Sequence, residues 1–417
     1  MKQWGKILLS CAIVLGSAAS GTVLTSANAA SASQVKIMLD NYPLPFPVEP
    51  VVISGTTMVP FRAISEALGI NVIWNQKAKK ITASKLSDGI KKTVELTLGS
   101  KTAKVNGQNA ALTLAPRTIS NTTMIPLSFF SQQFGAGVGW NQASKTVSII
   151  SPREEMYTLG YYALRSFDEI SYLHHFDAAA FGWSRIDREG NFTLTGDEYR
   201  WPAPSGEITG ESIIKDAVSE GTTPYLMVYS VDGMLELTKN LEDKELRNKT
   251  IDSIMEAAAE KGFKGIELDL EGLGMTGDKS KVKSDYNTFV KELSSRAKQQ
   301  DMKLTVIVHA LNSVYQGYDY KTLANLADDL VLMAYAYGDE QSPEPVAKVD
   351  EAIQLALKQV DKDKLILGIS RGSETSASIN TKIGLAKRYD LKGIALWRLG
   401  IIGPDTWTEM NKTIVLD

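Results

Sequence analysis

The chain has one cysteine, Cys11, and three histidines in 417 residues. Cys11 lies inside "ILLSCAIVLGSAASGTVL", an apolar run that follows Lys2 and Lys6. The run leads into "SANAA", where Ala27-Asn28-Ala29 has the small-x-small spacing of a signal peptidase site, so residues 1–29 are expected to be a secretory signal peptide. A retained membrane anchor is the alternative, and the Ser, Gly and Thr interruptions argue against it. "LLSC" weakly resembles a lipoprotein box, but the apolar run continues past Cys11. Cleavage after Ala29 leaves an exported chain with no thiol, which excludes disulfides and cysteine nucleophiles. The histidines give no metal pair by spacing: His174 and His175 are adjacent and cannot share a helix face, and His309 stands alone. The sequence has no G-x-x-x-x-G-K-[ST] phosphate loop. A net charge of -3 gives no sign of a nucleic-acid partner. With 43% hydrophobic and 22% charged residues, the composition is that of a folded protein long enough for two or three domains.

An internal repeat comes first. "TTMVPFRAISEALGINVIWNQKAKKIT" begins at Thr56 and "TTMIPLSFFSQQFGAGVGWNQASKTVS" at Thr122, so Trp74 and Trp140 lie 66 residues apart without a gap. In each copy a short strand ends at Met-Val/Ile-Pro, and the proline precedes a helix, where its missing N–H costs nothing. Gly69 or Gly135 ends that helix, and "NVIW" or "GVGW" opens the next strand. The expected unit is a compact α+β domain of two β-α-β-β-like halves over residues 30–152. Its motifs resemble the copper amine oxidase N-terminal, or stalk, domain of bacterial exported proteins. That resemblance implies a spacer or surface-attachment module. The segment has no His and no Cys, so no copper site is expected. Trp74 and Trp140 read first as core residues, with sugar stacking as the other reading.

After "SPREE" the pattern changes. Eight apolar strands, at 157–164, 176–183, 223–230, 265–272, 303–310, 329–338, 364–370 and 393–400, alternate with helix-like stretches. This alternation means a parallel sheet covered by helices. Eight units in residues 153–417 fit a closed (β/α)8 TIM barrel, with an open doubly wound sheet as the alternative. The fourth strand, "GIELDLEG", sets Glu267, Asp269 and Glu271 against Ile266, Leu268 and Leu270. In a barrel the apolar set faces the helices and the acidic set faces the axis, climbing about 6–7 Å per step toward the C-terminal mouth, where barrel active sites sit. Three lumen carboxylates are costly as a structural column, so catalysis is the first reading. A solvated edge strand and a divalent-cation site are the others; the linear arrangement and the lack of a calcium loop count against the cation.

These residues resemble glycoside hydrolase family 18, the chitinase-like barrels, and within it the spore germination and cortex-fragment hydrolases of endospore-forming bacteria. The family's fourth-strand D-x-x-D-x-D-x-E reads here as Lys264, Glu267, Asp269 and Glu271. Its sixth-strand M-x-Y-D reads as Met333, Tyr335 and Ala336, so that Asp is absent. Its eighth-strand Trp is Trp397. The resemblance implies substrate-assisted retaining hydrolysis, in which the sugar's 2-acetamido oxygen attacks the anomeric carbon. Glu271 would be the general acid, Asp269 would hold the acetamide N–H, Glu267 would relay charge from below, and Tyr335 would bond the acetamido group. Trp397 would floor the sugar pocket. Met333, Tyr161 and Tyr337 are further candidate substrate contacts, and Tyr162, Trp183 and Tyr229 are candidate platforms or packing residues.

The expected protein is an exported glycosidase, without cofactor, acting on β-linked N-acetylglucosamine glycans such as chitin-type oligomers or peptidoglycan and spore cortex fragments. It would associate with the cell wall or spore surface through the stalk domain, with no membrane contact after signal cleavage. Lys264 and Ala336 keep open a barrel that binds carbohydrate with weak or no catalysis.

Overall fold

The computed structural model describes residues 35–87 and 89–416, so the expected signal peptide lies outside the described residues. The repeat folds as a small α+β domain, but its halves are interleaved rather than set side by side. The strand Thr56–Pro60 pairs antiparallel with its own repeat equivalent, Thr122–Pro126, so that Met58 faces Pro126 and Pro60 faces Met124. The first strand of the domain, Lys36–Leu39, runs parallel to the last, Thr146–Ile150. A five-stranded meander from Asn71 to Ala111 makes the third sheet. Each copy's proline sits at the N-cap of a short helix, Phe61–Ala67 or Leu127–Gln133. Gly69 and Gly135 follow those helices at φ 62 and 83, in the left-handed region that glycine enters without a Cβ penalty.

The second part is a closed barrel of eight parallel strands, as the alternating pattern predicts. They are β1 (Tyr157–Tyr162), β2 (Ala178–Ile186), β3 (Thr223–Val231), β4 (Gly265–Glu271), β5 (Lys303–His309), β6 (Asp329–Met333), β7 (Leu365–Ser370) and β8 (Gly393–Trp397). Each strand pairs with the next in parallel, and β8 closes onto β1 with Tyr157 opposite Gly393. Two cores result. Ile266, Leu268 and Leu270 join the helix-side core, while Leu159, Tyr161, Met227, Ile307, Met333 and Ile366 fill the lumen. The largest departure from the expected strands is β6, which stops at Met333 rather than running to 338. The Glu344 carboxylate accepts the N–H groups of Ala336 and Tyr337 at 3.0 and 3.3 Å, drawing that segment out of the ladder.

The N-terminal domain docks at the bottom of the barrel. Barrel helices run antiparallel to the strands, so the C-terminal end of helix Ile379–Arg388 lies near the strands' N-terminal ends. There Arg388 donates to the carbonyls of Leu39, Tyr42 and Pro43 at 3.1–3.2 Å. Tyr42 Oη donates to Asp350, and Lys85 pairs with Glu154 at 3.0 Å. Gly384 on the same helix leaves no room for a side chain, since a Cβ would stand 2.4 Å from that of Asp40. The carboxylate of Asp40 accepts the Ser151 N–H at 2.9 Å, so it is not free to retreat. Gly384→Ala is therefore expected to weaken the junction by about 1–3 kcal/mol. Faster limited proteolysis around residues 150–156, with barrel unfolding unchanged, is the outcome to measure.

Candidate active site

Capping fixes β4 in place. Helix Lys244–Lys261 starts where the Asp243 side chain accepts the N–H groups of Glu245 and Leu246, and it ends at Gly262 with φ 84. The chain then enters β4, and Asp278 caps the next helix, Lys279–Gln299, in the same way. β4 is thus an interior strand held between β3 and β5. Its alternation puts Glu267, Asp269 and Glu271 in the lumen in ascending order.

The lowest carboxyl, Glu267, is fully buried, and Tyr161 Oη donates to its Oε1 at 3.0 Å. Its Oε2 has no protein partner among the described residues. Burial pushes its pKa up to about 8, opposed by the Tyr161 hydrogen bond, so the group carries a proton at neutral pH. Asp269 is also buried; desolvation first, then the charges of Glu271 and Glu267, raise its pKa well above the usual carboxylate range. Glu271 is the most exposed of the three, with 27% of its side chain open to solvent. Burial, and after it the Glu340 carboxylate, push it up to about 7. Burial is thus a larger cause than the neighbouring carboxylate.

Asp269 and Glu271 line a cavity of about 270 Å³ at the mouth, together with Met333, Tyr335, Tyr337 and Trp397. The structure therefore brings together most of the residues expected to act. Tyr335 lies over Gly368, where a Cβ would come within 3.1 Å of its ring. Burial and the three acidic side chains hold its hydroxyl well above its ordinary pKa, so it remains a neutral donor. Tyr337 Oη donates to Asn312 at 2.8 Å. Tyr161 is not on the cavity wall. It is buried beneath Trp397, ring edge to ring face at a centroid distance of 5.3 Å, with its hydroxyl on Glu267. Tyr162 and Trp183 pack against each other and Phe181 on the helix side, not in the lumen. Tyr229 stacks on Tyr199 at 3.8 Å in the lumen. Lys264 is exposed just below β4.

His309 and Glu340 also line this cavity, and neither was a candidate from the motifs. His309 at the top of β5 brings Nε2 within 3.5 Å of Glu271 Oε2, and Tyr315 stacks on its ring at 4.1 Å. Burial lowers its pKa to about 4, so it faces Glu271 as a neutral imidazole. The strand phase of "KLTVIVHA" was the available signal, because Thr305, Ile307 and His309 alternate inward. Glu340 also lines the cavity, four residues beyond Ala336, and no periodicity marks it. No group of three His, Cys, Asp or Glu side chains among the described residues is arranged to hold a metal ion.

Residues 227–374 match Glycosyl hydrolases family 18, and residues 38–149 match the Copper amine oxidase N-terminal domain. A cortical fragment-lytic enzyme of Bacillus anthracis is 26% identical over 212 residues, covering 44% of this chain and 48% of that protein. The corresponding enzyme of Bacillus subtilis is 20% identical over 239 residues, 41% and 54% of the two chains. The chain thus spans about half the length of the curated relatives it matches. Among solved structures, the spore cortex-lytic enzyme SleL of Bacillus cereus aligns with a TM-score of 0.52 at 17% identity, over 64% of this chain and 77% of its own. A chitinase of Chromobacterium violaceum aligns with a TM-score of 0.52 at 19% identity, over 62% and 98%. These structural likenesses show the barrel fold alone.

The electrostatics give a stability expectation. A carboxyl with a raised native pKa holds a proton that the unfolded chain releases, so its contribution is present at low pH and lost as pH rises to the native value. For Glu267 that window runs from the ordinary carboxylate range to about 8. Glu267→Gln should flatten the fall in stability between about pH 5 and pH 8, measured by denaturant midpoints across that range. Glu340→Gln should lower the Glu271 pKa and move the alkaline limb of any pH–rate profile to lower pH.

Proposed function

We propose that the chain is an exported glycosidase that cleaves β-linked N-acetylglucosamine glycans, of chitin or spore-cortex peptidoglycan type, with retention of configuration. The observation that carries this reading is the buried acidic ladder ending at Glu271, a carboxyl with its pKa near 7 on a cavity shared with Asp269, Tyr335 and Trp397. A carboxyl poised at neutral pH suits a general acid. The names of the cortical fragment-lytic relatives and the chitinase neighbour support the same substrate class.

In the proposed reaction the acetamido oxygen of the bound sugar bonds to the anomeric carbon as the glycosidic C–O bond breaks. Glu271 gives its proton to the leaving oxygen. Asp269 accepts the acetamide N–H and balances the positive charge of the oxazolinium ion, and Tyr335 donates to the acetamido group. Water then attacks the anomeric carbon and returns a proton to Glu271, while the acetamide re-forms. Glu267, protonated below, limits the negative charge that Asp269 must share. Trp397 offers its indole to the C–H face of the pyranose, with Met333 and Tyr337 as flanking contacts. Tyr161 supports Glu267 and Trp397 from beneath. Neutral His309 sits where it can accept a hydrogen bond from protonated Glu271. The reading places the chain in the spore envelope or cell wall, with the N-terminal domain as the attachment module.

One observation favours the rival, a barrel that binds glycan without cutting it: the cavity has Ala336 where the family pattern carries Asp. The same assay separates the two. Glu271→Gln should reduce turnover of a fluorogenic N-acetylglucosamine oligomer by about 10²–10⁴-fold while retaining oligomer binding. Wild-type protein without turnover, yet with binding, would support the rival. Glycans lacking the 2-acetamido group should remain uncut by the wild type, as measured by released reducing ends.

A further inference from the structure

The two copies of the repeat keep one detail almost unchanged. Trp74 donates its indole N–H to Gln76 at 2.7 Å, and Trp140 donates to Gln142 at 2.8 Å. Each indole is therefore pinned at its edge in the same way. The faces differ. In the first copy Phe61 packs against Trp74 with ring centroids 6.5 Å apart, and Trp74 is half-buried against the domain core. In the second copy the equivalent of Phe61 is Leu127, which is buried, and Trp140 is left 49% exposed. The residues around it have diverged together. Arg62, which lies 3.9 Å from Glu66 in the first copy, is replaced by Ser128, Glu66 by Gln132, and Ala63 by Phe129.

The result is a groove of about 510 Å³ walled by Trp140 and Phe129 and edged by the side chains of Thr56, Thr57, Thr113 and Ser128. None of the described residues that line it is charged. A fixed indole with an open face, an aromatic neighbour and a rim of hydroxyls is complementary to a neutral polyol with an apolar C–H face. A charged ligand would find no counter-charge there. The Thr56 and Thr113 hydroxyls meet each other at 3.3 Å, but a hydrophobic peptide would offer nothing to those of Thr57 and Ser128, a cost a sugar does not incur.

We propose that this groove is a second glycan-binding site, taking β-linked N-acetylglucosamine chains and holding the polymer while the barrel acts on it. The proposal rests on the reading that the chain handles such glycans, and it gives the attachment role of the N-terminal domain a specific surface. The first copy, with its tryptophan half-buried beside Phe61, takes no part. The site lies wholly within the N-terminal domain, so it is separate from the cavity at Glu271.

The test uses the full chain carrying Glu271→Gln, so that nothing is cut during binding, and insoluble chitin as the probe. Adding Trp140→Ala should weaken retention on chitin by about tenfold. In the otherwise wild-type chain Trp140→Ala should leave turnover of a soluble fluorogenic oligomer unchanged. Ser128→Arg, which restores the first copy's residue at an exposed helix position, should weaken retention as well and guards against misfolding of the alanine variant. Retention equal to the parent in both folded variants overturns the proposal. Loss of retention in a chain whose wild type shows no hydrolysis would sink the catalytic reading but uphold the groove.

Discussion

The costliest feature of this protein is a column of three carboxyl groups inside a closed sheet. Water is largely excluded from the lower two, and an ionised carboxylate in such a place is strongly disfavoured unless paired with a cation. No cation reaches them among the described side chains. The groups respond by holding protons: burial is the leading cause of the raised pKa of Glu267, Asp269 and Glu271 alike. Their surroundings follow from that choice. Tyr161 and Tyr335 meet the column with neutral hydroxyls, and His309 meets it as an uncharged ring. The same desolvation that taxes stability also tunes Glu271 toward neutral pH.

A second set of buried charges shapes the mouth from behind. The segment after β6 leaves the ladder at Met333, and Ala336 adopts φ 59. What holds it there is Glu344, whose carboxylate takes two successive backbone N–H groups, as an anion does at a nest of amides. The Glu344 N–H in turn donates to Glu374, which pairs with buried Lys382 at 2.9 Å. This relay anchors Tyr335 and Tyr337 at the cavity from residues on the far side of β7. It also brings Glu340 to the rim, so the mouth regains a carboxylate near the place where Ala336 supplies none.

The two domains divide the surface between them. The N-terminal domain is held by Asp350 of helix Val346–Ala356 and by the C-terminal end of helix Ile379–Arg388, away from the mouth where the acidic column ends. The mouth is therefore left clear of it. Within that domain, duplication built a symmetric frame through the pairing of Thr56–Pro60 with Thr122–Pro126. The frame needs one packing arrangement per copy, yet Trp74 is half-buried against the core while Trp140 stands 49% exposed. The second helix has diverged at buried Leu127 and at exposed Ser128, and an aromatic face stands open there while the shared sheet is kept.

Periodicity made much of this legible in the sequence. Strand-helix alternation gave the barrel, because a parallel sheet needs helices on its faces. The two-residue period of "GIELDLEG" gave the direction of each side chain on β4, because a pleated strand has no other option. The 66-residue offset revealed the duplication. Other features depended on contacts between residues far apart in the chain. Glu344 ends β6 early from eleven residues beyond it, His309 reaches Glu271 across a strand boundary, and Leu127 exposes Trp140 by being smaller than Phe61. Tyr161 and Trp397 both pointed inward as expected, but which lay beneath and which lined the cavity depended on their heights in the closed barrel. Local pattern fixes which face a residue occupies; burial, protonation and access are set by what the fold stacks against that face.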